Sequence, residues 1–133
     1  FALGFALAES GAAELLAVWL GGIAKGDPFW ALVVLYVATV IVTEMITNNA
    51  AGVLMFPIAM AVAQDGNANF LPYVVAVMVG ASAGFITPIG YQTNLMVYGP
   101  GGYRWIDYIR FGTPLSIVVG IATVLIVPRV WPF

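Results

Sequence analysis

The chain has 133 residues, 62% of them hydrophobic, with only four basic and six acidic side chains and a net charge of −2. A soluble domain usually carries charge on about 25% of its residues, so a share of 8% argues for an integral membrane segment instead. No Cys and no His occur, which excludes disulfide scaffolds, zinc sites and His-dependent catalytic triads, and the absent basic field excludes nucleic-acid binding.

Residues 1–9 read as the end of a membrane helix. A start inside an apolar run makes the chain read as the C-terminal piece of a larger membrane protein. Ser10-Gly11 breaks that helix. Residues 12–24 form a short helix with Leu16, Trp19, Leu20 and Ile23 on one face. It is too short to span and is flanked by Glu14 and Lys25, so it is expected at the membrane interface or packed on its neighbours. Gly26-Asp27-Pro28 is a turn and helix start.

The charges then mark out uncharged runs of 16 residues (Asp27 to Glu44), 20 (Glu44 to Asp65), 38 (Asp65 to Arg104) and 18 (Arg110 to Arg129). A spanning helix needs about 20 apolar residues. Residues 29–64 read as a helical hairpin with the polar tip Thr47-Asn48-Asn49, and lengths fit a re-entrant arrangement. Asn48 or Asn49 is expected to cap the second arm near Ala50. Residues 70–102 read as a broken helix with its loop at 87–94, where Thr93 or Asn94 is expected to cap the restart near Leu95. The small residues at 79–84 suit close helix packing. Tyr103 to Phe111 forms an interfacial anchor with Arg104 and Asp107 paired at i, i+3. The last transmembrane helix is expected at 113–131, with Thr113 as N-cap and Pro114 at its first turn.

Two broken helices, each with Thr and Asn at the break, point to a transporter binding site. Carbonyls freed near Thr43–Thr47 and Ile86–Gly90 suit a small hard cation. Neither break contains Lys, Arg or His. Helix ends supply about 0.3–1 kcal/mol each, while burying a charge costs several kcal/mol. An anion bound there therefore needs a co-bound cation. The blander reading makes Asn and Thr packing glue between helices. Glu44 is an intramembrane carboxylate. It is read as a proton carrier, an orienter of the hairpin or, above these, a structural partner to a group elsewhere in the larger protein. Tyr36, Tyr73 and Met78 read as packing. Ser10, Ser82 and Ser116 have no His to activate them, so an enzyme is not expected.

TEMITNNAAGVLMFPIAMAVA (43–63), GFITPIGYQTNLMVYGPGGYRWIDYIRFG (84–112) and AESGAAELLA (8–17) resemble the C-terminal repeat of the divalent anion/sodium symporter family. The closer likeness is to the bacterial permease branch that includes sulfate transporters. The resemblance implies an all-α integral membrane fold with a re-entrant helical hairpin and a discontinuous helix, one of two inverted repeats. It implies a sodium site at Thr43, Ile46, Asn48, Gly90 and Gln92, partly through backbone carbonyls. It places substrate contacts at Thr47, Asn48, Asn49, Tyr91, Gln92, Thr93 and Asn94. Carboxylate-transporting relatives carry Thr-Pro-Pro-Asn where Tyr91-Gln92-Thr93-Asn94 stands here, which leans towards a small inorganic anion such as sulfate over a dicarboxylate. Further implications are sodium as coupling ion with no other cofactor, elevator-type alternating access, a homodimer of the full-length protein, and a multi-pass position in the lipid bilayer of the cell membrane. The isolated piece is not expected to transport. The alternatives are a proton-coupled transporter or exchanger of the same superfamily, and a membrane scaffold without a solute site.

Overall fold

The structure is a computed structural model and describes Ala2, Ala6 and residues 9–133. The expected helix end at 1–9 falls largely outside those residues. Among the described residues all regular structure is helical. Six helices follow in order: α1 (Ala12–Ala24), α2 (Pro28–Met45), α3 (Asn48–Asp65), α4 (Phe70–Ala81), α5 (Gln92–Tyr98) and α6 (Trp105–Val130). Helices α2 and α6 are long and apolar enough to cross a membrane.

Local chemistry sets most boundaries. Gly11 enters α1 in the left-handed region at φ 71°. Lys25 and Gly26 leave it at φ 54° and 76°, turning the chain back on itself. The Asp27 carboxylate then accepts the N–H groups of Phe29 at 2.8 Å and Trp30 at 3.3 Å, with Pro28 in the first turn where its missing N–H costs nothing. Asn69 caps α4 through the Leu71 N–H.

The core lies where α1, α2, α3 and α4 meet. Leu32, Leu35, Ala59 and Ala76 are fully enclosed there, with Tyr73 beside them. Helix α6 joins through α2 and α4. Tyr73 packs and donates its hydroxyl to the Pro28 carbonyl, and Tyr36 packs, but Met78 is exposed.

On α1 the enclosed stripe is Ala13, Ala17, Leu20 and Ala24, while Leu16, Trp19 and Ile23 of the apolar face are exposed. Small residues let helix backbones approach closely. The expected start of the last helix is corrected. Helix α6 begins at Trp105, not at Thr113. The Asp107 carboxylate accepts the Arg104 N–H at 2.8 Å, which caps the helix eight residues early and gives Asp107 a backbone partner. Pro114 consequently lies inside the helix.

Gly80 sets how closely α4 approaches α2. A Cβ there would lie 3.2 Å from both Cβ and Cγ2 of Thr39. Thr39 cannot easily give way, because it is fully buried and its hydroxyl bonds the Leu35 carbonyl at 2.7 Å. Gly80→Ala is expected to destabilise by about 1–3 kcal/mol through overpacking, read as a lowered thermal midpoint of the full-length protein in detergent.

Candidate functional site

Two interruptions of helix build the site. The first is the two-residue break Ile46-Thr47 between α2 and α3. Ile46 is extended at φ −132° and its N–H still bonds the Val42 carbonyl. The second runs from Ser82 to Tyr91, between α4 and α5. It begins earlier than the expected 87–94, because α4 stops at Ala81. The chain folds these two breaks onto each other.

Glu44 makes the main junction. Its Oε1 accepts the Ile86 N–H at 2.8 Å and its Oε2 accepts the Thr87 N–H at 2.7 Å. The Thr87 hydroxyl donates back to the Glu44 carbonyl at 2.9 Å and accepts the Gly90 N–H at 3.1 Å. Glu44 is buried. Its partner is thus the loop of this same chain, which corrects the reading that placed the partner elsewhere. From the other side α6 presses on the same loop through Gly112. A Cβ at Gly112 would overlap the Phe85 carbonyl group and stand 2.8 Å from the Ile86 Cα.

Beside this junction four oxygens converge. The Thr43 hydroxyl, fully buried, donates to the Ala81 carbonyl at 2.7 Å. The Asn48 side-chain oxygen lies 2.9 Å from that hydroxyl. The same amide position is 3.1 Å from the Ala81 carbonyl oxygen and 3.0 Å from that of Gly90. The two orientations of the amide suit two situations. With nitrogen inward it donates to the surrounding oxygens. With oxygen inward it completes a set of four oxygen donors, the kind a hard cation takes. Glycines make the convergence possible. A Cβ on Gly84 would sit 3.3 Å from Asn48 Oδ1, and one on Gly90 would sit 3.0 Å from the Thr43 carbonyl oxygen.

Of the residues expected at a cation site, Thr43, Asn48 and Gly90 therefore come together. Ile46 is half-buried with its N–H bonded to the Val42 carbonyl, and Gln92 is exposed. Ala81 was not expected there. An apolar side chain carries no signal for a role played by its carbonyl. Among the expected substrate contacts, Thr47, Asn49, Tyr91, Gln92 and Thr93 are exposed beside the cluster in sequence. Asn94 is instead half-buried. Its amide donates to the Gly84 carbonyl at 2.9 Å and the Thr87 carbonyl at 3.4 Å, and its own carbonyl accepts the Tyr108 hydroxyl at 2.9 Å. Asn94 closes the loop.

The caps differ from expectation. Thr47 caps α3, accepting the Ala50 N–H at 3.4 Å, which leaves Asn48 free to turn towards Thr43. Helix α5 starts at Gln92 after Tyr91 and has no side-chain cap, since Asn94 is occupied with the loop.

The profile of the citrate transporter family CitMHS matches residues 1–132. An uncharacterized transporter of Synechocystis is 45% identical over 132 residues, which is 97% of this chain and 21% of that protein. Sodium/sulfate cotransporter 1 of Chlamydomonas reinhardtii is 40% identical over 119 residues, 88% of this chain and 14% of that protein. An uncharacterized transporter of Escherichia coli is 35% identical over 129 residues, 96% of this chain and 21% of that protein. The chain thus spans about a fifth or less of the length of these relatives. The chain belongs to the CitMHS citrate transporter family, in keeping with the likeness to divalent anion/sodium symporters carried by its TPIGYQTN and YGPGGY motifs.

Proposed function

We propose that the full-length protein containing this chain is a sodium-coupled symporter of a small divalent anion, with sulfate favoured over a dicarboxylate. The observation that carries the proposal is the convergence of Thr43 Oγ1 and the Ala81 and Gly90 carbonyls on the Asn48 amide, which can turn its oxygen to a cation in their midst. The spacings of 2.7–3.1 Å are those of hydrogen bonds, so a monovalent hard cation replaces these bonds and the neutral oxygens spread to receive it. Sodium is cargo here, and no further cofactor is needed.

The anion has its own supporting groups. Helix α3 has 18 residues, and the N–H groups of Asn48 and Asn49 at its start have no intrahelical acceptor. Thr47, Asn49, Tyr91, Gln92 and Thr93 offer hydroxyls and amides next to them. No fixed positive charge lies within either break, so the sodium ion supplies the counter-charge, and the two ligands bind together. The name of the Chlamydomonas relative, sodium/sulfate cotransporter, supports this pairing. The family's description as citrate transporter makes a carboxylate the second reading.

Within the larger protein, α2 and α3 form the re-entrant hairpin and α4 with α5 the discontinuous helix of one inverted repeat. The short α1 lies at the interface and α6 crosses the bilayer. The protein is a multi-pass homodimer in the cell membrane that works by elevator-type alternating access.

The test is uptake of radiolabelled sulfate by the full-length protein in proteoliposomes. An inward sodium gradient is expected to drive it, and choline or a proton gradient alone is not. Excess unlabelled sulfate is expected to compete, and citrate or succinate to compete weakly. Competition by citrate but not by sulfate would move the substrate to the carboxylates. Uptake driven by protons without sodium would refute the coupling.

A further inference from the structure

We infer that Glu44 is a positioning residue for the cation shell: its carboxylate fixes the Ser82–Tyr91 loop so that the Gly90 carbonyl faces Asn48, beside the Ala81 carbonyl at the end of α4. The inference rests on the sodium site proposed above and assigns a role to a residue outside it.

Geometry supports this in three ways. First, Glu44 directly follows Thr43, so the residue that grips the loop and the residue that meets the cation share one turn of α2. Second, the grip is two-sided. Each carboxylate oxygen takes one N–H, from Ile86 and from Thr87, and the Thr87 hydroxyl returns a bond to the Glu44 carbonyl. The same hydroxyl accepts the Gly90 N–H, which reaches the residue whose carbonyl is 3.0 Å from the Asn48 amide. An unbroken chain of bonds therefore runs from Glu44 through Thr87 to Gly90. Third, the loop has no regular structure of its own between Ala81 and Gln92. Without an external tie, its carbonyls would have many directions to choose from, and ordering them would be left to the arriving ion.

Both carboxylate oxygens serve the loop, each accepting one backbone N–H, which is the arrangement of an anchor.

Glutamine at position 44 keeps the length and one acceptor, but its NH2 group would face the second N–H. Alanine keeps neither bond. The half-saturating sodium concentration for sulfate uptake is therefore expected to rise in the order Glu44, Glu44→Gln, Glu44→Ala, by about tenfold or more at the last step. Sulfate half-saturation at saturating sodium, and the maximal rate per folded protein, should change far less. Thr87→Val breaks the return bond from the other side and should also raise sodium half-saturation. Combined with Glu44→Gln it should raise it less than the product of the single effects, because both act on one junction. The Thr87→Val measurement keeps the test decisive if Glu44→Ala does not fold. Unchanged sodium half-saturation in Glu44→Gln and Thr87→Val, with only a lower maximal rate, would overturn the positioning role. Wild-type uptake that ignores sodium would instead refute the cation site itself. Uptake that ignores sodium and collapses in Glu44→Gln would make Glu44 a proton carrier and overturn the inference with it.

Discussion

Asn48→Asp is expected to make the full-length protein less stable without sodium and more strongly stabilised by it. The Asn48 amide can present nitrogen to the Ala81, Gly90 and Thr43 oxygens, and so fill the place of a cation when none is bound. A carboxylate offers oxygen only. Without sodium, Asn48→Asp turns a carboxylate towards the Ala81 and Gly90 carbonyl oxygens with only the Thr43 hydroxyl to donate, and a buried acceptor left without its donor costs about 1–3 kcal/mol. With sodium, the added charge strengthens the shell. Thermal midpoints in choline and in sodium are the readout. The wild type should gain a modest rise with sodium, and Asn48→Asp should start lower and gain more. Asn48→Leu, of similar size, should lose both the sodium-dependent rise and sodium-driven sulfate uptake. An equal midpoint for wild type and Asn48→Asp in choline would show that the amide nitrogen does not hold the empty site together.

Gly112→Val is expected to have the largest effect on folding. The α6 backbone passes so near the loop that a Cβ on Gly112 would overlap the Phe85 carbonyl. Two backbones cannot yield as a flexible side chain can. Either α6 or the loop must move, and the loop segment concerned is the one Glu44 holds through the Ile86 N–H. Overpacking of this kind typically costs about 1–3 kcal/mol and more where backbone is displaced. The folded yield of the full-length protein and its thermal midpoint should fall sharply. Gly22→Ala is the matched control. A Cβ at Gly22 meets nothing within 4 Å, and alanine is favoured over glycine in a helix by about 1 kcal/mol. That variant should be neutral or slightly more stable.

Much of this arrangement is readable in the sequence, and what is not readable has a physical reason. Composition alone gives a helical, apolar chain. Gly26-Asp27-Pro28 announces the start of α2 because capping is a local matter between neighbours. The polar residues mark the two breaks, the family resemblance adds Thr43, Asn48 and Gly90, and the fold brings those three together. Three things are hidden. The buried face of α1 is the alanine face, since in a bilayer apolarity does not tell inside from outside. The start of α6 is set by Asp107 taking the Arg104 N–H, which competes with an equally plausible start at Thr113-Pro114. The partner of Glu44 lies 42 residues away and is backbone, so no side chain betrays it. Asn94 carries a role hidden for the same reason: its amide nitrogen ties the loop through the backbone carbonyls of Gly84 and Thr87.

The central claim is that the two breaks form one site in which sodium supplies the charge that holds the anion. Equilibrium binding of radiolabelled sulfate to the purified full-length protein, measured in sodium and in choline at equal ionic strength, tests it most directly. Sulfate affinity is predicted to fall more than about tenfold, or 1.4 kcal/mol, when choline replaces sodium. Sulfate binding of equal strength in the two salts would contradict a shared site.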